Sequence, residues 1–96
     1  MSAPQQRYIV EVERAARRAL SESLPLDVAV AVVEFIDGDL SVNPHRVGKE
    51  LNEPLDGIYS ARVMREWRLL FTVNEETRTV SILAVRHRAD AYRSRP

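Results

Sequence analysis

Cysteine is absent from these 96 residues, which excludes disulfides, thiol catalysis, cysteine-ligated zinc and iron–sulfur centres. Histidine is scarce. His45 and His87 stand far apart with no acidic cluster at ligand spacing, so no metal site is expected. The three glycines build no phosphate-cradling loop. There is no G-x-S-x-G turn, no paired-carboxylate signature, and no serine or threonine set beside a general base. No cofactor is expected. No apolar run approaches the ~20 residues needed to cross a bilayer, and Met1 to Arg7 lacks the basic and apolar blocks of a signal peptide. The expectation is a soluble, cytoplasmic chain without a membrane partner.

What is present suits one globular unit. A hydrophobic fraction of 45% is ordinary for a folded protein, and the length fits a single domain over 1–96 with a loose, polar tail at 1–6. Net charge is zero, but it is unevenly spread. Residues 1–56 carry six basic and ten acidic side chains, whereas residues 57–96 carry eight basic and four acidic ones. Every basic residue of the second part is arginine, the side chain that forks onto phosphate and stacks on bases. The neutral average hides a dipolar molecule with one candidate anion-binding end.

The hydrophobic period changes along the chain. From Arg7 to Val12, the alternation of Tyr8, Val10 and Val12 with Ile9 and Glu11 predicts a strand. Ala16, Leu20 and Leu24 then recur every four residues, with Arg14, Arg17, Arg18 and Glu22 outward, and predict an amphipathic helix. Pro25 stops that helix and opens a second one, carried by Ala29, Val32, Val33, Ile36 and Leu40, with Gly38 near its end. Ser41 to Glu50 is a predicted loop in which Asn43-Pro44 starts a turn and Gly48 relaxes the backbone beside Lys49. Three strand-like runs follow at about 58–63, 67–74 and 79–88, joined by short polar links. The predicted class is α+β in the order β-α-α-β-β-β, an antiparallel sheet with an N-terminal helical hairpin packed on one face.

The chemistry concentrates in arginines on neighbouring strands. Arg68 shares strand parity with Leu70 and Thr72, and Arg86 and Arg88 share theirs with Ile82 and Ala84, while Arg62 lies near the end of the preceding run. If register aligns these ends, three or four guanidiniums converge beside His87 and Tyr92. Like charges so placed repel, and an anion such as a phosphodiester relieves them through charge-assisted, often bidentate bonds. Two readings stay open for each residue. The arginines bind phosphate, or they pair with Glu66, Glu75, Glu76 or Asp90. Tyr92 stacks on a base or caps the core. His87 lies on the opposite parity and reads as a hydrogen-bonded core residue, Trp67 and Phe71 read as core, and His45 and Arg46 as loop surface.

Several runs occur in a familiar order. They are Asn43-Pro44-His45-Arg46-Val47-Gly48-Lys49-Glu50-Leu51, Leu55-Asp56-Gly57-Ile58-Tyr59, Arg62-Val63, Trp67-Arg68-Leu69-Leu70-Phe71, and His87-Arg88-Ala89-Asp90-Ala91-Tyr92. Together they resemble the signature of the RelE/ParE superfamily of toxins over residues 7–93, with the RelE-like branch favoured. The resemblance implies a toxin of a type II toxin-antitoxin system, neutralised by a cognate RelB-like antitoxin. It implies an endoribonuclease that enters the ribosome and cuts mRNA, where the ribose 2′-OH attacks the adjacent phosphate to leave a 2′,3′-cyclic phosphate without a metal. It assigns Arg68 to the phosphorane, Arg62 to the 2′-OH, Arg86 to the leaving oxygen, Arg88 to the H-R motif and Tyr92 to the scissile nucleotide. Lys49, with Arg46 and His87, is implied in RNA binding. Ser60 replaces a second basic residue of that branch, and the Met64-Arg65-Glu66 turn lacks the usual glycine and is one residue longer. The alternative within the superfamily is a ParE-like toxin that binds and poisons DNA gyrase without catalysis.

Overall fold

The computed structural model describes residues 7–91. The first strand is β1 (Ile9–Val12). Next come α1 (Arg14–Arg18), which runs on as a π-helical turn over Ala19–Ser23, and α2 (Leu26–Phe35), which runs on through Ile36–Leu40. A short α3 (Pro44–Val47) leads into β2 (Gly48–Glu50), and β3 (Tyr59–Val63), β4 (Trp67–Asn74), β5 (Thr79–His87) and α4 (Arg88–Ala91) complete the order. The class is α+β, as the hydrophobic periods predict.

All five strands form one sheet in the order β1-β5-β4-β3-β2. It is mixed: β1 runs parallel to β5, with Val10 opposite Val80, while the other pairs are antiparallel. Two features depart from the expected four-stranded antiparallel sheet. The alternation around Val10 marks a strand but carries no information on its partner, and the helical crossover after β1 returns the chain in the direction that makes the pairing parallel. The predicted loop at 41–50 also holds structure. Asn43 caps α3 by accepting the Arg46 N–H on its side chain at 3.3 Å, and Pro44 takes the first helical position.

One face of the sheet is covered, with α1 on β5 and α2 on β3. Ala16, Val28, Val32 and Leu40 from the helices meet Ala61, Val63, Leu69, Phe71, Val80, Ile82 and Val85 from the strands. Gly48 lies in extended backbone (φ −111°), so conformational freedom is not its reason. A methyl there would stand inside van der Waals contact of Phe71 Cζ, 3.0 Å from Cε1 and 3.2 Å from the Pro44 carbonyl oxygen. Glycine lets β2 close over Phe71, which is fully buried.

A β-bulge decides which side chains share the other face. Leu70 lies opposite Ala84 but Phe71 opposite Ile82, so Leu83 is one residue in excess on β5. Before the bulge the even residues Val80 and Ile82 enter the core. After it the odd residue Val85 does. Ile82 therefore does not share a face with Ala84 and Arg86, because strict parity across β5 fails at Leu83. On an unbroken strand Arg86 would point into the core with Val80 and Ile82. The extra residue turns it out.

Candidate phosphate-binding row on the open sheet face

Arg62 on β3 lies directly opposite Arg68 on β4, and Arg68 directly opposite Arg86 on β5. Their strand neighbours Ala61, Val63, Leu69 and Val85 are buried in the core, so all three arginines leave from the face opposite α1 and α2, on the far side from the core. Adjacent strands are ~4.8 Å apart, and the row thus spans about 10 Å, the scale of one or two nucleotide phosphates. Arg62 and Arg86 are exposed and Arg68 is half-buried. Among the described residues none of the three forms an ion pair. Glu66 bonds His87, and Glu75 bonds Tyr8, His45 and Arg78. Like charges opposite one another destabilise a sheet. Such a row is an unsatisfied cation cluster that an anion would neutralise.

Arg68 is pre-aimed by the β3–β4 turn. Met64 (φ 56°) and Arg65 (φ 77°) both occupy left-handed backbone, and the Glu66 N–H closes a three-residue turn on the Met64 carbonyl at 2.7 Å. Neither residue is glycine, so the turn stores strain. Arg68 Nη1 donates to the Arg65 carbonyl at 3.1 Å and to the Trp67 carbonyl at 3.0 Å. Both protons of that nitrogen are used. The Nε–Nη2 edge, the one that forks onto a phosphate, keeps its three protons for a ligand.

The remaining sequence-predicted residues fall in three places. Lys49 on β2 lies opposite Ser60, in the row next to the arginines with Leu70 and Ala84, and it faces the same open side. Arg88 opens α4 immediately beyond the arginine row, exposed, with its N–H donated to the Glu66 carbonyl at 2.7 Å. Arg46 is exposed on α3, ahead of β2, and His87 leaves from the covered face beside Trp67, the rings meeting edge-on at 5.3 Å. Tyr92 lies outside the described residues.

A second polar cluster has no counterpart among the sequence-predicted sites. Glu75, in the β4–β5 turn, accepts the Tyr8 hydroxyl at 2.9 Å on both carboxylate oxygens and a bond from His45 Nε2, with Arg78 Nη1 at 3.9 Å. The Arg78 guanidinium sits over the Tyr8 ring at 4.1 Å, and His45 meets the Tyr8 and Tyr59 rings edge-on. This cluster ties β1, α3 and the β4–β5 turn together at the end of the sheet away from the arginine row. The one sequence signal for it is histidine inside an Asn-Pro helix start; its partners Glu75 and Tyr8 lie 30 or more residues away along the chain.

The bonds from His45 and Tyr8 hold the Glu75 carboxyl below its ordinary value of 4.5. A depressed folded value means that this stabilisation is present above pH 4.5 and is lost as pH falls through the folded value. Glu75→Gln is expected to flatten the acid limb of stability. Urea midpoints at about pH 6 and about pH 3.5 should differ less in the variant than in the parent chain. Equal differences would show that Glu75 carries no part of the acid response.

The mixed five-stranded sheet with helices packed on one face is the fold of a RelE/ParE superfamily toxin. The family model described as ParE toxin of type II toxin-antitoxin system, parDE, matches residues 5–92, and the chain belongs to that family. It is 50% identical to Toxin RelG of Mycobacterium tuberculosis over 86 residues, covering 90% of this chain and 97% of that one. It is 37% identical to Toxin RelE of the same organism over 89 residues, 93% of this chain and 90% of the relative. Among solved structures, the toxin-antitoxin complex RelBE2 of M. tuberculosis aligns with a TM-score of 0.80 at 46% identity, covering 93% of this chain and all of that one. No helix among the described residues is long and apolar enough to cross a membrane.

Proposed function

We propose that this type II toxin is an endoribonuclease that cuts mRNA on the ribosome in the cytoplasm and is held inactive by a RelB-like antitoxin. The observation that carries the reading is the row Arg62–Arg68–Arg86, three guanidiniums on one open face without a carboxylate partner among the described residues. In-line attack of a ribose 2′-OH on its own phosphate builds negative charge on a phosphorane, and preorganised cations aimed at that charge are the main catalytic requirement. Arg68, at the centre with its phosphate-binding edge available, serves the phosphorane. Arg62 to one side polarises the 2′-OH, and Arg86 to the other neutralises the departing 5′-oxygen, with Arg88 beside it. Tyr92 stacks on the scissile nucleotide, and Lys49 in the adjacent row, with Arg46, contacts the RNA backbone. The antitoxin reading is supported by the likeness to a toxin solved in a toxin-antitoxin complex.

A second reading is favoured by the family description, which is that of a ParE toxin. The neutral net charge and the buried Ser60 in place of a second basic residue agree with it. The same face would then bind DNA gyrase and perform no chemistry. Expression without antitoxin separates the two. The endonuclease reading expects rapid arrest of protein synthesis with transcripts cut at a fixed position within codons. A DNA-damage response with translation initially intact would replace it with the gyrase reading.

A further inference from the structure

The β3–β4 turn is gripped from two sides, and both grips involve candidate functional groups. From β4, Arg68 Nη1 holds the carbonyls of Arg65 and Trp67. From the end of β5, the Arg88 N–H is donated to the Glu66 carbonyl at 2.7 Å, and His87 Nε2 lies 3.2 Å from Glu66 Oε1. The other ring nitrogen of His87, Nδ1, accepts the Ala89 N–H at 3.2 Å. Because Nδ1 accepts, the proton of the neutral ring sits on Nε2, the atom that faces the carboxylate. His87 precedes α4 and takes the N–H of its second residue, which is what a helix-capping side chain does. Arg88–Ala91 is the described part of this helix, and the start of a helix is its costly step, which a capping acceptor eases.

We propose that His87 is a positioning residue which, by capping α4 and together with the Arg88 N–H on the Glu66 carbonyl, latches the start of α4 to the β3–β4 turn, so that Arg88 is held in register with Arg68. The two arginines are then placed by one three-residue turn, and loosening either grip moves one against the other. The latch itself rests on hydrogen bonds alone; its effect on toxicity rests on the arginine row being the functional site. The side chain of His87 acts here from the covered face, on the far side of the sheet from the row, and contributes by orientation.

His87→Leu removes both polar ring atoms, whereas His87→Asn restores an acceptor where Nδ1 lies. Nitrogen NMR of the labelled parent toxin is expected to show the Nε2–H tautomer. Amide exchange at Ala89 is expected to rise about fivefold in His87→Leu, the effect of a lost cap, and to return to the parent rate in His87→Asn. The inducer level that arrests growth should rise at least about tenfold in His87→Leu and be rescued by His87→Asn, since misplacement of a functional group by about 1 Å costs that much or more. An Nδ1–H tautomer, or unchanged exchange in His87→Leu, overturns the latch. Raised exchange with unaltered growth arrest overturns its positioning role. Transcript cleavage is scored separately: toxicity without cut transcripts would sink the endonuclease reading while the rescue pattern still decides the latch.

Discussion

Arg68→Lys is expected to be nearly as defective as Arg68→Ala, each lowering the rate of ribosome-bound transcript cleavage by about 10²–10³, the usual effect of deleting one preorganised charge-stabilising donor. The reason lies in how the guanidinium is shared. One nitrogen is consumed by the Arg65 and Trp67 carbonyls, at 3.1 and 3.0 Å, and the opposite edge is left for an anion. A lysine ammonium is a single point of charge on a flexible stem. It can cap the strained turn or meet a phosphate, but not both. The loss should appear in the rate of the chemical step more than in ribosome binding, because Arg62 and Arg86 still present charge to the backbone. Stability should change little, by about 1 kcal/mol for the lost turn bonds. Single-turnover cleavage beside a thermal melt makes the measurement. If Arg68→Lys cleaves within a few-fold of the parent, charge alone suffices and the fork geometry has no role.

Gly48→Ala is expected to destabilise the fold by about 1–3 kcal/mol, the range for forcing an extra carbon into a packed core. The added methyl would be driven against Phe71, which is fully buried and cannot yield without displacing its neighbours. Phe71 stacks on Tyr59 with centroids 5.5 Å apart, so a shift of one ring disturbs the other. The strand that carries Lys49 would be pushed from the sheet edge, and activity should fall with stability. For a chain of this size each kcal/mol lowers the melting temperature by roughly 4–8 °C. Phe71→Leu opens space at the same point. In the double variant the two costs should couple by about 0.5–3 kcal/mol instead of adding. Urea unfolding of the four proteins supplies the cycle. Strict additivity, or a Gly48→Ala midpoint equal to the parent, would show that the close approach is not tight.

Much of this molecule is legible in one dimension. Strand and helix periods follow from which residues must be buried, and burial is read from apolar spacing at 2.0 or 3.6 residues. Val32 is a mediocre helix former, yet its spacing with Ile36 and Leu40 places it on the buried side because packing outweighs propensity there; Val33, expected beside it, is 48% exposed, and Val28 one turn earlier is buried instead. Parity likewise placed Arg68 away from Leu69 and Phe71. The concentration of arginine beyond residue 57 marks a candidate anion-binding end without reference to any fold, since charge distribution is a property of composition.

What tertiary structure alone decided is which of these elements meet. The parallel pairing of β1 with β5 depends on how the helical crossover returns, and no local residue encodes that direction. The bulge at Leu83 depends on β4 and β5 competing for register: Ile82 and Val85 both reach the core only if one residue is left over, and that surplus sets Arg86 beside Arg68. The Tyr8–His45–Glu75 cluster joins segments up to 67 residues apart, each unremarkable by itself. Local sequence determines faces and periods because they arise from neighbours along the chain. Convergence of like charges runs against local preference, and only a packed sheet, stabilised elsewhere by its core, can hold it.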